Sequence, residues 1–187
     1  MPATVILNPY ANRWKCGHQA DAIEYSLRRA SIDHSMHISN KRGHATALAR
    51  MAVDLGNIPI IAVGGDGTLN EVVNGIFQAQ DQGADLAGPV ATIPMGTCND
   101  LATILGIPAE IDAAIQLITS RSTRRIDVGT ANGRYFVNNA AVGLETEVAL
   151  RNDRIRTVHG VLRYIVAAVL TIMKRPIWQA EMSWDNG

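Results

Sequence analysis

Short apolar runs alternate with helical spacings over the first two thirds of the chain. Thr4 to Asn8 reads as a short buried strand, and Ala20, Ile23, Leu27 and Ala30 then recur at helical spacing after the loop Pro9 to Gly17. Asp33 to Ile38 is a second strand candidate. Ala45 to Leu55 follows as a helix closed by Gly56 and Asn57, and Ile58 to Val63 is an apolar strand of the kind a parallel sheet buries on both faces. Leu69, Val72, Val73 and Ile76 form one apolar stripe of the next helix, which stops near Asp81-Gln82-Gly83. Pro89 to Ile93 is the next strand. Leu101 to Leu105 and Ile111 to Ile118 are two further helices, kept apart by Pro108. Strand and helix alternating in this way predict a doubly wound α/β domain with a largely parallel sheet.

After Ser120 the pattern changes. Arg124 to Ala131 and Arg134 to Val142 flank Asn132-Gly133, the strongest short signal for a two-residue β-hairpin, so antiparallel pairing is expected. Val158 to Met173 predicts a mostly apolar helix ended at Pro176. Trp178, Ala180, Met182 and Trp184 then alternate with polar residues as in a half-buried strand, with a turn at Asp185-Asn186-Gly187. A strand that reaches its turn without a partner suggests a piece of a longer protein. The expected division is an α/β domain over 1–122 and the beginning of a second, incomplete domain over 123–187.

Composition narrows the function classes. With 187 residues, 47% hydrophobic, the chain can bury a real core, and 17 cations balance 17 acids, so no polyanion-binding domain for DNA or RNA is indicated. Cys16 and Cys98 stand far apart without metal-ligand spacing, which fits two free thiols in a reducing compartment. The N-terminus lacks the features of a signal peptide, and Val161 to Met173, interrupted by Arg163, is short of the ~20 residues that cross a bilayer. The cytoplasm is the expected location. Charge is nevertheless uneven: residues 121 to 175 hold ten Lys or Arg against four acids. Such a segment either is a solvated face or docks on anionic lipid headgroups.

The candidate chemistry sits at strand ends. Gly64-Gly65-Asp66-Gly67-Thr68 lies between an apolar strand and an amphipathic helix. Glycines there let backbone N–H groups approach anionic oxygens, and the helix adds its positive end, so phosphate is the natural guest. No lysine follows as in a Walker loop, and Gly-x-Gly-x-x-Gly is absent. Asp66 is misplaced against bare phosphate but useful near a metal ion or as acceptor of a hydroxyl proton. A second loop, Pro94-Met95-Gly96-Thr97-Cys98-Asn99-Asp100, has the same strand-to-helix setting. Thr97 can donate a hydroxyl to a phosphate, while Asn99 or Asp100 can cap the helix. Asn8 to Asn12 and Ser39 to His44 end the first two strands, so all four strand ends are expected at one crevice. His44 reads as a surface or capping residue.

Gly64 to Ile76 together with Ile93 to Ala102 resembles the diacylglycerol kinase catalytic-domain family, which includes bacterial lipid kinases and sphingosine kinases. The resemblance extends to Asn8-Pro9, Arg125-Ile126-Asp127-Val128-Gly129 and Phe136 to Gly143. It implies the NAD kinase/diacylglycerol kinase-like nucleotide-binding fold followed by a β-sandwich domain. It implies an ATP site formed by Asn8, Pro9, Tyr10, Ala11, Asn12, Ser39, Gly64, Gly65, Asp66, Gly67, Thr68, Leu69, Asn70, Glu71 and Thr97. It also implies a water and Mg²⁺ network touching Asp100 and Asp127, with Asp66 as the catalytic candidate. The implied activity is transfer of the ATP γ-phosphate to a diacylglycerol-like hydroxyl, at the inner face of a membrane contacted peripherally; a homodimer is one assembly open to the chain, whose oligomeric state the sequence does not give. Tyr10, Ala11 and Asn12 depart from the small residue and glycine usual in the first loop. The alternatives are an NAD kinase-like phosphotransferase and a non-catalytic nucleotide-binding fragment.

Overall fold

A computed structural model describes residues 2–84, 88–141, 143–155, 161–174, 177–179, 181 and 183. It divides into two units, Met1–Asn138 and Asn139–Gly187.

In the first unit, β1 (Ala3–Leu7), β2 (His34–Ile38), β3 (Ile60–Gly64) and β4 (Val90–Pro94) form one parallel sheet in the order β2-β1-β3-β4. Val5 stands opposite Met36 on one side and Ile61 on the other, and Val63 opposite Ile93. The crossovers carry α1 (Lys15–His18) and α2 (Ala20–Arg29), then α3 (His44–Asp54), then α4 (Asp66–Gln80). After β4 come α5 (Asp100–Leu105) and α6 (Ile111–Thr119).

Strand alternation splits the core in two. Ile6, Ile60 and Ala62 pack with α3 and α4, while Val5, Leu7, Ile61, Val63 and Ile93 pack with Ile23 and Leu27 of α2 and Ala114 and Ile115 of α6. Both faces of the sheet are therefore covered, which is why β3, and β1 apart from Thr4, read as apolar runs. Gly75 is what lets α3 and α4 close up: a Cβ there would strike the carbonyl oxygen of Thr46 and, at 2.9 Å, the Ala49 methyl. Gly106, at φ 71°, ends α5 in the left-handed conformation, and Pro108 follows. On α6 the Glu110 carboxylate accepts from the Asp112 and Ala113 N–H groups at 3.0 and 2.6 Å, and Arg29 pairs with Asp112 at 2.6 Å.

Three expectations are corrected. The helix after the glycines opens at Asp66 rather than Leu69, so Asp66-Gly67-Thr68 is its first turn. The hairpin at Asn132-Gly133 forms with the expected antiparallel register, but its strands are only β5 (Gly129–Ala131) and β6 (Arg134–Phe136). Residues 124–128 and 137–141 carry no strand, since among the described residues the ladder pairs only 129–131 with 134–136. The third is an unexpected helix, α7 (Leu144–Arg154), in the second unit. Its sequence is mostly polar, Val148 being the one buried position among the described side chains, and a Glu147–Arg151 pair at 3.5 Å spans one turn.

The expected apolar helix is present as α8 (Val161–Met173), the residues from 158 to 160 lying outside those described. Its small residues are the buried ones: Ala167 and Thr171 are fully covered, with Thr171 Oγ1 bonded back to the Ala167 carbonyl at 2.7 Å. In the alternating segment 178–184, the described residues 178, 179, 181 and 183 are not in a strand; its remaining residues and the turn at 185–187 lie outside those described. Among the described residues no helix is long and apolar enough to cross a membrane.

Candidate functional site

Because the chain steps from β1 to β2 on one side and returns to β3 on the other, the sheet order reverses between β1 and β3. In open α/β sheets ligands bind in the crevice outside the strand ends at such a switch point. Asn8 and Gly64 end the two strands concerned. The Asn8 N–H donates to the Val63 carbonyl at 2.9 Å, and its Nδ2 donates to Thr68 Oγ1 at 3.0 Å, tying the end of β1 to the first turn of α4. Thr68 is 4% exposed, so its hydroxyl serves this internal bond.

The two glycine loops touch backbone to backbone. A Cβ on Gly65 would stand 2.9 Å from Gly96 Cα, and one on Gly96 would strike Gly65 Cα and lie 2.5 Å from Asn99 Oδ1. The Met95 N–H donates to the Gly64 carbonyl at 2.7 Å. Asn99, left-handed at φ 55°, closes its own loop by accepting from the Gly96 N–H at 2.8 Å and donating to the Gly96 carbonyl at 3.2 Å. Neither Asn99 nor Asp100 caps α5 with its side chain, contrary to expectation. That work falls to Asp66, whose carboxylate accepts the Asp100 N–H at 3.1 Å and the Leu101 N–H at 3.2 Å. A carboxylate at a helix N-terminus meets both its orphan donors and its dipole, so Asp66 fastens the second loop to the first.

Glu71 does the same for α3. Its two oxygens accept the Gly43 N–H at 2.9 Å and the Ala45 N–H at 3.2 Å, and Thr46 Oγ1 donates to the Glu71 carbonyl at 3.0 Å. With α3 and α5 plugged by carboxylates, α4 itself begins at Gly65 without a side-chain cap. The Thr68 and Leu69 N–H groups donate to the Gly65 carbonyl, so those of Asp66 and Gly67 are the ones left to an anion.

The first loop adopts an unusual path. Asn12, Arg13 and Trp14 have φ of 50°, 56° and 72°, a left-handed run in which asparagine is the least strained non-glycine choice. The departure from glycine at Asn12 is therefore accommodated. Tyr10 braces this loop: its N–H donates to Asn8 Oδ1 at 3.1 Å, its hydroxyl to the Asn40 carbonyl at 3.1 Å, and its ring meets Trp14 edge-on at 4.5 Å. Ser39 is buried beside β1, its N–H bonded to the Leu7 carbonyl at 2.8 Å. His44 Nδ1 accepts the Asn40 N–H at 3.1 Å, a bond that closes the loop before α3 rather than capping the helix.

The strand-end residues Asn8 to Asn12, Ser39, Gly64 to Glu71 and Thr97 thus converge on one edge of the sheet, with Thr97 and Asp100 exposed. Asp127 lies two residues before β5, exposed, in a segment without regular structure. Among the described residues no group of three His, Cys, Asp or Glu could hold a metal ion. The donor set does not fit a cation bound by the protein alone.

Three residues position the site through contacts that their place in the sequence did not reveal. Gly96 and Asn99 shape a loop whose closeness to Gly65 exists only in the fold. Asn74, 5% exposed, donates to the Asn70 and Tyr135 carbonyls, each at 2.8 Å, and accepts the Tyr135 N–H at 3.0 Å, docking the hairpin on α4. Phe77 stacks on Tyr135 at 4.5 Å, and the Tyr135 hydroxyl donates to Asp81 at 2.9 Å. That bond, helped by lesser burial and charge effects, raises the Tyr135 phenol above its ordinary value of 10.0. Cys16, against the Val63 carbonyl, is raised by burial to about 11.

A family model described as the diacylglycerol kinase catalytic domain matches residues 2–131. A diacylglycerol kinase of Staphylococcus haemolyticus is 32% identical over 185 residues, 98% of this chain and 54% of that one. One of Staphylococcus epidermidis is 34% identical over 185 residues, covering 98% and 57%. A crystal structure of a diacylglycerol kinase from Bacillus anthracis superposes with a TM-score of 0.62 at 32% identity, over 72% of this chain and 45% of that one. The chain spans about half the length of the relatives it matches.

Proposed function

The chain belongs to the diacylglycerol kinase catalytic-domain family, and from that premise we propose that it is the nucleotide-binding part of an ATP-dependent lipid kinase. The reading is transfer of the γ-phosphate to a diacylglycerol-like hydroxyl. The observation that carries it is the pairing of two strand-end glycine turns, Gly65 against Gly96, beside the uncapped N-terminus of α4. Such a site catalyses phosphoryl transfer mainly by positioning and electrostatics.

In this reading Asn8 to Asn12, Ser39, the turn Gly64 to Thr68 with Leu69 to Glu71, and Thr97 surround the nucleotide. Mg²⁺, when bound, neutralises phosphate charge. Among the described residues no group of acids would hold it directly, and Asp100 and Asp127 would reach it through water. Asp66 is the catalytic candidate, although both its oxygens already accept backbone N–H groups. The acceptor-binding domain is taken to begin near residue 123. The cationic excess over residues 121 to 175 supports peripheral contact with an anionic membrane from the cytoplasmic side.

The test is phosphorylation of diacylglycerol micelles against NAD as acceptor, in wild type and Asp66→Asn. Transfer to diacylglycerol, lost in the variant, supports the reading. Transfer to NAD refutes the lipid acceptor, and near-wild-type turnover of Asp66→Asn removes the carboxylate from catalysis. ATP binding without transfer to either acceptor marks a nucleotide-binding fragment.

A further inference from the structure

The phosphate turn has a shortage of positive charge. No lysine follows its glycines, and Asp66, Glu71 and Asp100 bring acids to a place meant for a polyanion. The N-terminus of α4 supplies only about half an elementary charge. Among the described residues of the β1 and β2 strand-end loops, the cations are Arg13 and Lys15 after β1 and Lys41 and Arg42 after β2, all exposed.

The second pair is anchored to the phosphate helix itself. Lys41 and Arg42 lie between two held residues: Asn40, whose carbonyl accepts the Tyr10 hydroxyl and whose N–H is bound by His44, and Gly43, whose N–H is bound by Glu71. Glu71 stands five residues along α4 from Asp66, less than one and a half turns, so this loop is fixed within reach of long side chains from the turn. Gly43, at φ 82°, supplies the left-handed step that brings the chain into α3.

We propose that Lys41 and Arg42 bind the outer phosphates of the nucleotide, in place of the lysine missing from the glycine turn, and that Glu71 is the positioning residue that holds their loop against α4. The inference rests on the nucleotide reading of the site. It makes this loop the part that distinguishes a nucleoside triphosphate from a monophosphate, because only the longer anion extends beyond the first turn of α4.

Calorimetric titration of the 187-residue chain with ATP and AMP at several salt concentrations tests it. Replacing both cations (Lys41→Ala with Arg42→Ala) is expected to weaken ATP binding about tenfold or more and flatten its salt dependence. AMP binding and melting temperature should stay at wild-type values, as should ATP binding by the remote control Arg28→Ala. Glu71→Ala should copy the double variant and add nothing on top of it, with Glu71→Gln retaining part of the affinity. ATP affinity of the double variant within about twofold of wild type overturns the inference while leaving the nucleotide site intact. An equal loss of AMP binding overturns it too, as does a Glu71→Ala effect that adds fully to the double variant. A wild-type chain that binds no ATP overturns both the inference and the reading beneath it.

Discussion

Two stretches of nearly continuous apolar sequence meet opposite fates. Ile60 to Val63 in β3 is buried almost completely, roofed by helices on both faces. In α8 of the second unit, Leu162, Ile165, Val169, Ile172 and Met173 are 49 to 73% exposed, and the covered positions are alanine and threonine. Apolar content alone does not place a residue inside; a partner surface does. In the first unit the crossover helices supply that surface from nearby sequence, whereas the described residues of the second unit hold only two helices, α7 and α8.

The sharpest way to break this contrast is to truncate one residue from each stretch. Ile61→Ala should cost about 3 to 4 kcal/mol in denaturant unfolding, as filled cores do, while Ile172→Ala should stay within about 0.5 kcal/mol. Comparable losses would mean that α8 is as well packed as β3. Next in size, Gly96→Ala forces the two glycine loops apart, and about 2 to 3 kcal/mol of destabilisation is expected, with ATP binding reduced in the same titration.

Asp66→Ala removes a cap supplied from another helix and should cost about 1 kcal/mol, Asp66→Asn less because one oxygen acceptor remains. Hydrogen exchange should report the loss at the Asp100 and Leu101 amides. Smaller still is the hairpin contact. Because the folded Tyr135 phenol is raised by its bond to Asp81, the stability it lends is fully present below pH 10 and is lost as pH rises through the folded value. Melting from pH 8 to 11 should therefore show a steeper decline in wild type than in Tyr135→Phe, the part common to both including the buried Cys16 thiol. Finally, thiol labelling of the native chain at pH 8 should modify exposed Cys98, with protection by ATP, and leave Cys16 untouched until unfolding.

Much of the first unit was legible because its signals are local. Strands buried on both faces must be apolar throughout, and the stripe Leu69, Val72, Val73 and Ile76 marks the face α4 turns to the core. The glycine turns were legible because few other roles need so many residues without Cβ between strand and helix. The start of α4 was misplaced by three residues, since glycine argues against helix while the backbone of Gly65, accepting from Thr68 and Leu69, begins one. The polar helix α7 escaped because its apolar residues form no stripe.

What the sequence determined by itself was the alternation of elements, the parallel sheet, the glycine turns at the strand ends and the resemblance that the comparisons bear out, all of which follow from residue type and spacing. Only the tertiary structure decided which polar groups serve which neighbour. Asp66 caps a helix that begins 34 residues on, Glu71 one that begins 27 residues earlier, and Asn74 grips a hairpin strand 61 residues away. Such pairings join groups from distant parts of the chain. They are fixed by how α4 lies against its neighbours, which no local spacing records.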